Sequence, residues 1–178
     1  MKTYLFNENL REIVQFMDPD AFLTKAIYFD KPQTQNWAVS WHQDVPINVI
    51  EKIPTDGFTS WTQKKGIHSV CPPEEILHST FTLRIHLDDT NEQNGAVSVI
   101  PGSHKQRLSD EAINTITANS NPSICSVKSG GIHLLKPLIL HSSPRATTQK
   151  KRRVIHLEFS SMELPGQLEW LERENWQD

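Results

Sequence analysis

The pattern of hydrophobic and polar positions predicts one short helix followed by a chain made mostly of strands. Residues 8–17 carry apolar side chains at helical spacing, and the dipeptide Asp18-Pro19 ends that run. Beyond it, short β-branched and aromatic runs alternate with Pro, Asn and Gly, which is typical of strands joined by turns. The runs predict seven strands, over 22–30, 37–45, 79–89, 95–100, 123–127, 131–143 and 152–161. Seven strands at this spacing favour a mainly β fold, a sandwich or jelly roll, with a few flanking helices.

Two further helices are expected after the fourth strand. Ser109 can act as an N-cap, and the acidic residues Asp110 and Glu111 that follow it suit a first helical turn, so the sequence predicts a helix over 109–119. The sequence "LEWLERENW" predicts another helix over 168–176.

The segment 46–78 shows only weak periodicity. It contains several prolines, including Pro72-Pro73, and scattered aromatic residues. Long loops without regular structure usually cover a functional site or are disordered. We therefore predict a lid or substrate loop over 46–78, with Phe58, Trp61 and His68 as candidate wall residues. Packing of the aromatic side chains in the core is the alternative.

Length and composition narrow the class of protein. The 178 residues suit one domain, 1–178. A net charge of −3 offers no basic excess that would attract nucleic acid or an anionic membrane, and no apolar run approaches membrane-spanning length. The first residues do not follow the pattern of a signal peptide, and Cys71 and Cys125 are typical of free thiols in a reducing compartment. These features predict a cytoplasmic protein.

A histidine and an aspartate stand two residues apart in the predicted strand 37–45. Residues i and i+2 of a strand point to the same face about 6.5 to 7 Å apart, so His42 and Asp44 can reach one point above the sheet. An imidazole nitrogen and a carboxylate oxygen placed in this way suit a divalent first-row metal. Two solvated polar residues would give the same pattern, so a third ligand is needed before a metal site can be predicted.

His141 is the candidate third ligand, because it ends the apolar run "LLKPLIL". A buried histidine needs a partner for each ring nitrogen, which either a metal or the backbone can supply. Two histidines and one carboxylate form the facial set of non-heme Fe(II) oxygenases, which leaves positions open for other ligands. Zinc hydrolases use the same ligand types, so the set does not determine the reaction.

Arg152 begins an apolar strand eleven residues after His141. A guanidinium is costly there unless an anion meets it, and its planar fork can hold a carboxylate through two parallel hydrogen bonds. The two lysines of "KKRR" (150–153) are expected to be solvated. Arg153 is the alternative to Arg152, because a shift of one residue in register exchanges the two faces of the strand.

These residues, in their order and spacing, resemble the phytanoyl-CoA dioxygenase family of Fe(II)- and 2-oxoglutarate-dependent oxygenases. The motifs that carry the resemblance are "WHQD", "NGAVSVIPGSHK" (94–105), and His141 followed by Ser143 and Arg152. The resemblance extends over roughly residues 22–160. It implies a double-stranded β-helix, or jelly roll, in which His42, Asp44 and His141 bind iron. It also implies that Arg152 and Ser143 bind the distal carboxylate of the co-substrate 2-oxoglutarate.

The resemblance leaves the role of Arg84 open. This residue of "TLRIHLDD" matches a position near the co-substrate that is often aromatic in the family. It has three possible roles: contact with 2-oxoglutarate, contact with the substrate, or pairing with an acid in the sheet. His104 of the "PGSH" turn is expected to face solvent and is left out of the metal site.

By the same resemblance, the reaction consumes O2 and 2-oxoglutarate, releases succinate and CO2, and oxidises a small organic substrate. Asp44 occupies the position that related halogenases leave to a small residue, which favours hydroxylation or another oxidation over halogenation. A cupin-like binding module and an inactive jelly roll are the alternatives. Against a cupin, the residues around 42–50 lack its His-x-His motif and the glutamate that follows. The sequence determines neither the substrate nor the oligomeric state.

Overall fold

A computed structural model describes residues 7–31, 36–148 and 150–175 of the chain. Within these described ranges, α-helices run over Glu8–Met17 (α1), Glu74–His78 (α2) and Asp110–Asn119 (α3). Short 3₁₀ helices cover Glu92–Asn94 and Ser103–Lys105. The strands are β1 (Phe22–Lys31), β2 (Val39–His42), β3 (Ile47–Val49), β4 (Thr59–Lys64), β5 (Ile67–Cys71), β6 (Thr80–His86), β7 (Val97–Val99), β8 (Ser123–Cys125), β9 (Ile132–Leu135), β10 (His141–Ser143) and β11 (Arg152–Ser160). The predicted mainly β fold is confirmed.

The sheets order these strands as β1-β11-β6-β9, as β2-β10-β7-β8 and as β3-β5-β4. The predicted strand 131–143 is divided between two of these sheets. Pro137, which cannot donate to a strand ladder, lies in the turn between β9 and β10, and Ile139 N donates to Lys136 O there. The turn matters for the site because it brings the chain from one sheet to the other just before His141.

Two of the three predicted helices are confirmed. In α1, the Asn7 side chain accepts a hydrogen bond from Leu10 N, and Leu10 and Val14 are buried. In α3, the Ser109 hydroxyl accepts from Ala112 N, as expected of an N-cap.

The predicted helix over 168–176 is wrong for the residues that the structure describes, and Trp176 lies outside them. Trp170 and Glu174 form isolated antiparallel bridges to Val49 and Leu23. The Trp170 indole is buried and donates from Nε1 to Met162 O. Pairing with extended backbone and burial of the indole therefore override the local helical pattern.

The interpretation of 46–78 as a loop without regular structure is also wrong. This segment forms the antiparallel sheet β3-β5-β4 and the helix α2. Lys65 and Gly66 turn the chain between β4 and β5 with positive φ angles of 51° and 82°. Phe58 is buried in the core, whereas Trp61 and His68 are partly exposed. Movement of the segment as a lid remains a prediction.

The chain divides into two compact units. One unit contains the residues up to 26, residues 46–80 and the residues from 157 onward, with Val14, Val49 and Val70 among its fully buried side chains. The other contains 27–45 and 81–156, with Phe81 and Leu140 fully buried. Every predicted site residue belongs to the second unit: His42, Asp44, Arg84, His141, Ser143 and Arg152.

The structure bears on the sequence expectations about membrane-spanning segments and thiols. Over the described ranges, no helix is long and apolar enough to cross a membrane. Cys71 is buried, Cys125 is half-buried, and both are free thiols.

Candidate active site

The structure brings His42, Asp44 and His141 together. His141, the first residue of β10, lies directly opposite His42, the last residue of β2, in an antiparallel pair. Asp44 follows two residues later, where β2 has already ended. One donor atom from each of the three side chains lies within 4.8 Å of the other two, and Asp44 Oδ1 and Oδ2 lie 3.4 Å from Nε2 of His42 and of His141. The three donors therefore converge on one point, as a shared metal ion requires.

Main-chain carbonyl groups orient both imidazole rings. His42 Nδ1 donates to Ser40 O over 2.8 Å, and His141 Nδ1 donates to Ile139 O over 2.9 Å. The ring centroids are 4.2 Å apart. With Nδ1 used in this way, Nε2 of each ring faces Asp44 and is the nitrogen left for a metal.

Gln43 fixes the segment between the two candidate ligands. Its side chain is buried, and Nε2 donates to the carbonyl oxygens of Leu138 and Gln106 over 2.7 and 3.0 Å. Its Oε1 accepts from Leu108 N over 2.8 Å. This positioning role was not identified from the sequence, where the amide between the two candidate ligands in "WHQD" was the available signal.

The turn "PGSH" is hydrogen-bonded to the main chain just before β10. Ser103 Oγ donates to Ile100 O and accepts from Leu140 N, the residue before His141, over 2.7 and 2.8 Å. His104 itself is exposed and stands outside the group of three donors. The turn therefore acts on the candidate centre through Ser103 and the main chain.

Opposite charges shape the ionisation of the three donors. Burial raises the pKa of Asp44, but hydrogen bonding to His42 and the charges of both histidines lower it by more, so this carboxyl group is ionised at neutral pH. Hydrogen bonding to Asp44 raises the pKa of His42 above 6.5, whereas burial lowers the pKa of His141. An ionised carboxylate beside histidine nitrogens is a donor set that attracts a divalent cation.

Arg152, Ser143 and Gly95 form a second group in the same unit. Arg152 Nη1 donates to Gly95 O and lies 3.2 Å from Ser143 Oγ, and the Ser143 hydroxyl donates to Gly95 O over 2.9 Å. Arg152 Nε is buried and has no hydrogen-bond partner among the residues described. Burial lowers the pKa of Arg152 to about 10, so its guanidinium is still charged at neutral pH. A partly buried cation with one buried, free donor edge suits a carboxylate ligand.

Gly95 was not identified from the sequence as a member of this group. It adopts the left-handed conformation, with a φ of 82°, that ends the 3₁₀ helix. Asn94 fixes the turn, because its side chain accepts from Asn91 N and donates to Asp89 O, both over 2.7 Å. The Asn-Gly dipeptide was the signal for a turn, but only the folded chain shows that the turn aims the Gly95 carbonyl at Arg152.

Arg153 has a different environment from Arg152. Its Nε and Nη2 donate to the two oxygens of Asp88 over 2.9 and 2.8 Å, and its main-chain N also donates to Asp88. This bidentate pair occupies the fork of Arg153. The structure therefore leaves Arg152, and not Arg153, with an unused buried donor.

Arg84 lies on β6, opposite His133 on β9. Its Nε is also buried without a hydrogen-bond partner in the described structure, and its guanidinium carbon is 5.9 Å from the centre of the Phe29 ring. Burial lowers the pKa of Arg84, and the charge of Asp44 raises it. His86, two residues further along β6, also has a buried Nε2 atom without a hydrogen-bond partner among the described residues. Arg84 therefore belongs to the electrostatic environment of the candidate metal centre.

The residues present suit an Fe(II) ion and a dicarboxylate such as 2-oxoglutarate. Two imidazole nitrogens and one carboxylate converge, which is the ligand set of non-heme Fe(II) oxygenases. The unsatisfied Nε of Arg152 offers a position for a carboxylate in the same unit.

Comparison with known proteins identifies the family. Residues 5–154 match the family described as Phytanoyl-CoA dioxygenase (PhyH). The chain belongs to this family. The family resemblance predicted from "WHQD" and the later motifs is thereby confirmed. A search of curated proteins finds no significant match.

Solved structures resemble this PhyH-family chain in fold. AviO1 from Streptomyces viridochromogenes Tue57 is 22% identical with a TM-score of 0.63, over 91% of this chain and 61% of that one. The non-heme alpha-ketoglutarate-dependent epimerase SnoN from nogalamycin biosynthesis is 13% identical with a TM-score of 0.62, over 94% and 64%. EctD from S. alaskensis, solved with 2-oxoglutarate and 5-hydroxyectoine, is 18% identical with a TM-score of 0.61, over 86% and 49%. The predicted jelly roll is confirmed, and the chain spans less than two thirds of each of these proteins.

Proposed function

We propose that this chain is an active Fe(II)- and 2-oxoglutarate-dependent oxygenase that hydroxylates a small organic molecule and releases succinate and CO2. The observation that carries the proposal is the convergence of His42, Asp44 and His141, with the Nε2 atoms of both histidines turned toward Asp44. The buried, unsatisfied Arg152 Nε in the same unit supports it. We further propose that the enzyme works in the cytoplasm.

In this proposal, His42, Asp44 and His141 hold the iron. Hydrogen bonds from Nδ1 to Ser40 O and Ile139 O keep both rings in the required orientation. When bound together, Fe(II), 2-oxoglutarate and O2 supply the oxidation of a C–H bond coupled to decarboxylation. With three protein ligands, the ion would keep positions open for 2-oxoglutarate and O2.

Arg152 holds the distal carboxylate of 2-oxoglutarate through its Nε edge. Ser143 and Gly95 fix the opposite edge of the guanidinium, so that the free edge is oriented before the co-substrate arrives. The Arg152 Nε atom is shielded from water, which strengthens the charge-assisted hydrogen bonds that it would donate.

The test is an anaerobic titration of the apoprotein with Fe(II) and then with 2-oxoglutarate. The iron chelate of 2-oxoglutarate has a visible charge-transfer band, and we expect a saturable band in the wild-type protein. A saturable band followed by release of succinate on admission of O2 would support the proposal. A wild-type protein that develops no band would favour the alternative, a cupin-like or inactive jelly-roll binding module.

Asp44→Ala is the matched variant for this titration. Removal of one of three ligands should abolish iron-dependent turnover, whereas the partly exposed position should leave the fold intact. The readouts are the charge-transfer band, succinate formation and the circular dichroism spectrum. His104→Ala, at an exposed histidine outside the donor group, should behave as wild type. Normal turnover by Asp44→Ala would contradict the ligand assignment.

A further inference from the structure

Arg84 is a partly buried cation, with a buried Nε, that the proposed chemistry does not use. Its Nε has no hydrogen-bond partner among the described residues, and β6 contributes no acid to it across the pair with His133 on β9. The carboxylate that acts electrostatically on Arg84 is that of Asp44, which the proposed iron already uses. An unpaired guanidinium in such a position is costly, so a ligand is the natural partner.

Arg84 and Arg152 lie on neighbouring strands of one sheet, β6 and β11. Burial and the charge of Arg84 together lower the pKa of Arg152 to about 10. Two partly buried like charges that repel each other are better explained by two anionic groups than by one. The distal carboxylate of 2-oxoglutarate can pair with Arg152, and Arg84 is then left without an anionic partner.

A count of formal charges leads to the same conclusion. Arg84, Arg152 and Fe(II) bring four positive charges, whereas Asp44 and the two carboxylates of 2-oxoglutarate bring three negative charges. Burial and nearby positive charges lower the pKa values of His86 and His133 to about 4, so these histidines are neutral at pH 7. The loaded centre is then left with one positive charge, which a monoanionic substrate would neutralise.

The surroundings of Arg84 suit a small organic acid. The Phe29 ring lies 5.9 Å from its guanidinium carbon, and His86 presents a buried Nε2 with no partner while its Nδ1 contacts Thr90 Oγ1 at 2.8 Å. A planar guanidinium binds a carboxylate through two parallel hydrogen bonds, and an aromatic ring beside it provides apolar contact. The polar atoms and the ring therefore offer both kinds of contact that a carboxylic acid needs.

We infer that Arg84 binds a carboxylate of the substrate, and that the substrate class of this enzyme is a small organic acid. This inference rests on the proposed function, because the iron and 2-oxoglutarate account for Asp44 and Arg152. It selects one of the three roles left open by the sequence. Contact of Arg84 with a carboxylate of 2-oxoglutarate is the competing source of the same chemistry.

The experiment uses formate, the smallest carboxylate, as the probe. The full-length protein is loaded anaerobically with Fe(II) and saturating 2-oxoglutarate, and [13C]formate is titrated while its NMR linewidth and the charge-transfer band are followed. We expect saturable binding with retention of the band. Formamide, which is neutral and of similar size, should bind at least tenfold more weakly.

Arg84→Gln should weaken formate binding at least tenfold and change the affinity for 2-oxoglutarate less than threefold. Arg84→Lys keeps the charge and should recover part of the formate affinity. Arg153→Gln is the matched control, because that arginine pairs with Asp88, and both affinities should stay at the wild-type value. Removal of an unpaired buried charge should not lower the melting temperature of Arg84→Gln, which separates loss of binding from loss of fold.

Three outcomes would overturn the inference. The first is no saturable formate binding by the wild-type protein. The second is formate binding that Arg84→Gln does not weaken, whatever happens to the affinity for 2-oxoglutarate. If that variant instead loses 2-oxoglutarate affinity tenfold, Arg84 is assigned to the co-substrate. The third is a loss of both affinities that Arg84→Lys does not restore. Absence of the wild-type charge-transfer band would contradict the proposed function instead, and formate titration of the variants without 2-oxoglutarate would still test Arg84.

Discussion

Main-chain carbonyl groups, and not carboxylate side chains, orient the two histidines of the candidate metal centre. Ser40 O and Ile139 O each accept from the Nδ1 atom two residues further along the chain. Ser40 lies in β2 and Ile139 in the turn before β10, so the orientation of the rings depends on main-chain positions and not on any one neighbouring side chain. His141 is nearly buried, whereas His42 and Asp44 retain access to solvent, with side chains 37% and 40% exposed. The metal would therefore enter from the side of His42 and Asp44.

We predict that metal affinity rises with pH through the pKa of His42. Hydrogen bonding to Asp44 raises that pKa above 6.5. Protonation of His42 therefore stabilises the folded, metal-free protein, and this stabilisation is complete below pH 6.5. It is lost as the pH rises through the higher pKa of the folded state. A metal must displace the same proton, so binding becomes tighter over that interval. Zn(II) titrations against a chelating dye, with proton release measured between about pH 6 and 8, would check this. An affinity that does not change with pH would exclude His42 as a ligand.

Among the elements, β11 decides which arginine of "KKRR" is available to a ligand. Arg152 and Arg153 are adjacent, so their side chains leave the strand on opposite faces. Arg153 meets Asp88 in a bidentate pair, whereas Arg152 keeps a buried Nε without a partner. The environment on each face, more than the residue type, separates the two roles.

We predict that Arg152→Leu weakens 2-oxoglutarate binding at least tenfold, and that Arg153→Leu changes it little. The two charge-assisted hydrogen bonds at stake are worth roughly 1.5 to 3 kcal/mol each, which exceeds a tenfold effect even if one is replaced by water. The charge-transfer band measured against 2-oxoglutarate concentration gives both affinities. A larger effect from Arg153→Leu would show that the other face of β11 meets the co-substrate.

At the scale of the whole molecule, three of the boundaries between the two compact units fall inside strands, at residues 26/27 in β1, 80/81 in β6 and 156/157 in β11. An extended strand cannot be unfolded over one half without loss of pairing along its length. The prediction that residues 1–178 act as one domain therefore corresponds to one cooperative unfolding transition.

We predict that metal binding raises the melting temperature of this single transition. A ligand at a concentration of about one hundred times its Kd adds about 2.7 kcal/mol of stability. For a protein of 150–250 residues, each kcal/mol shifts Tm by roughly 2–4 °C, so a rise of about 5–10 °C is expected. Calorimetry with and without Zn(II) measures it, with Asp44→Ala as the variant that should show no rise. Two separate transitions, of which only one responds to metal, would contradict the single-domain prediction.

The sequence by itself determined the class of the fold and the residues of the proposed chemistry. Alternation and turn residues predict strands because side-chain direction in a strand has a period of two, which a local pattern records. The spacing of His42 and Asp44 is equally local. His141 and Arg152 could be named from the sequence because each is a polar residue in an apolar run, where it needs a partner. The family motifs then supplied the order of these parts.

Only the tertiary structure decided the features that depend on distant partners. Trp170 is extended because it is buried and its backbone bridges to Val49, and 46–78 forms a sheet because its short strands pair with one another. Gln43 and Gly95 act on the site through residues 95 and 57 positions away in the chain, Leu138 and Arg152. A local sequence pattern does not encode such pairings, because their free energy is gained only when the folded chain brings the partners together.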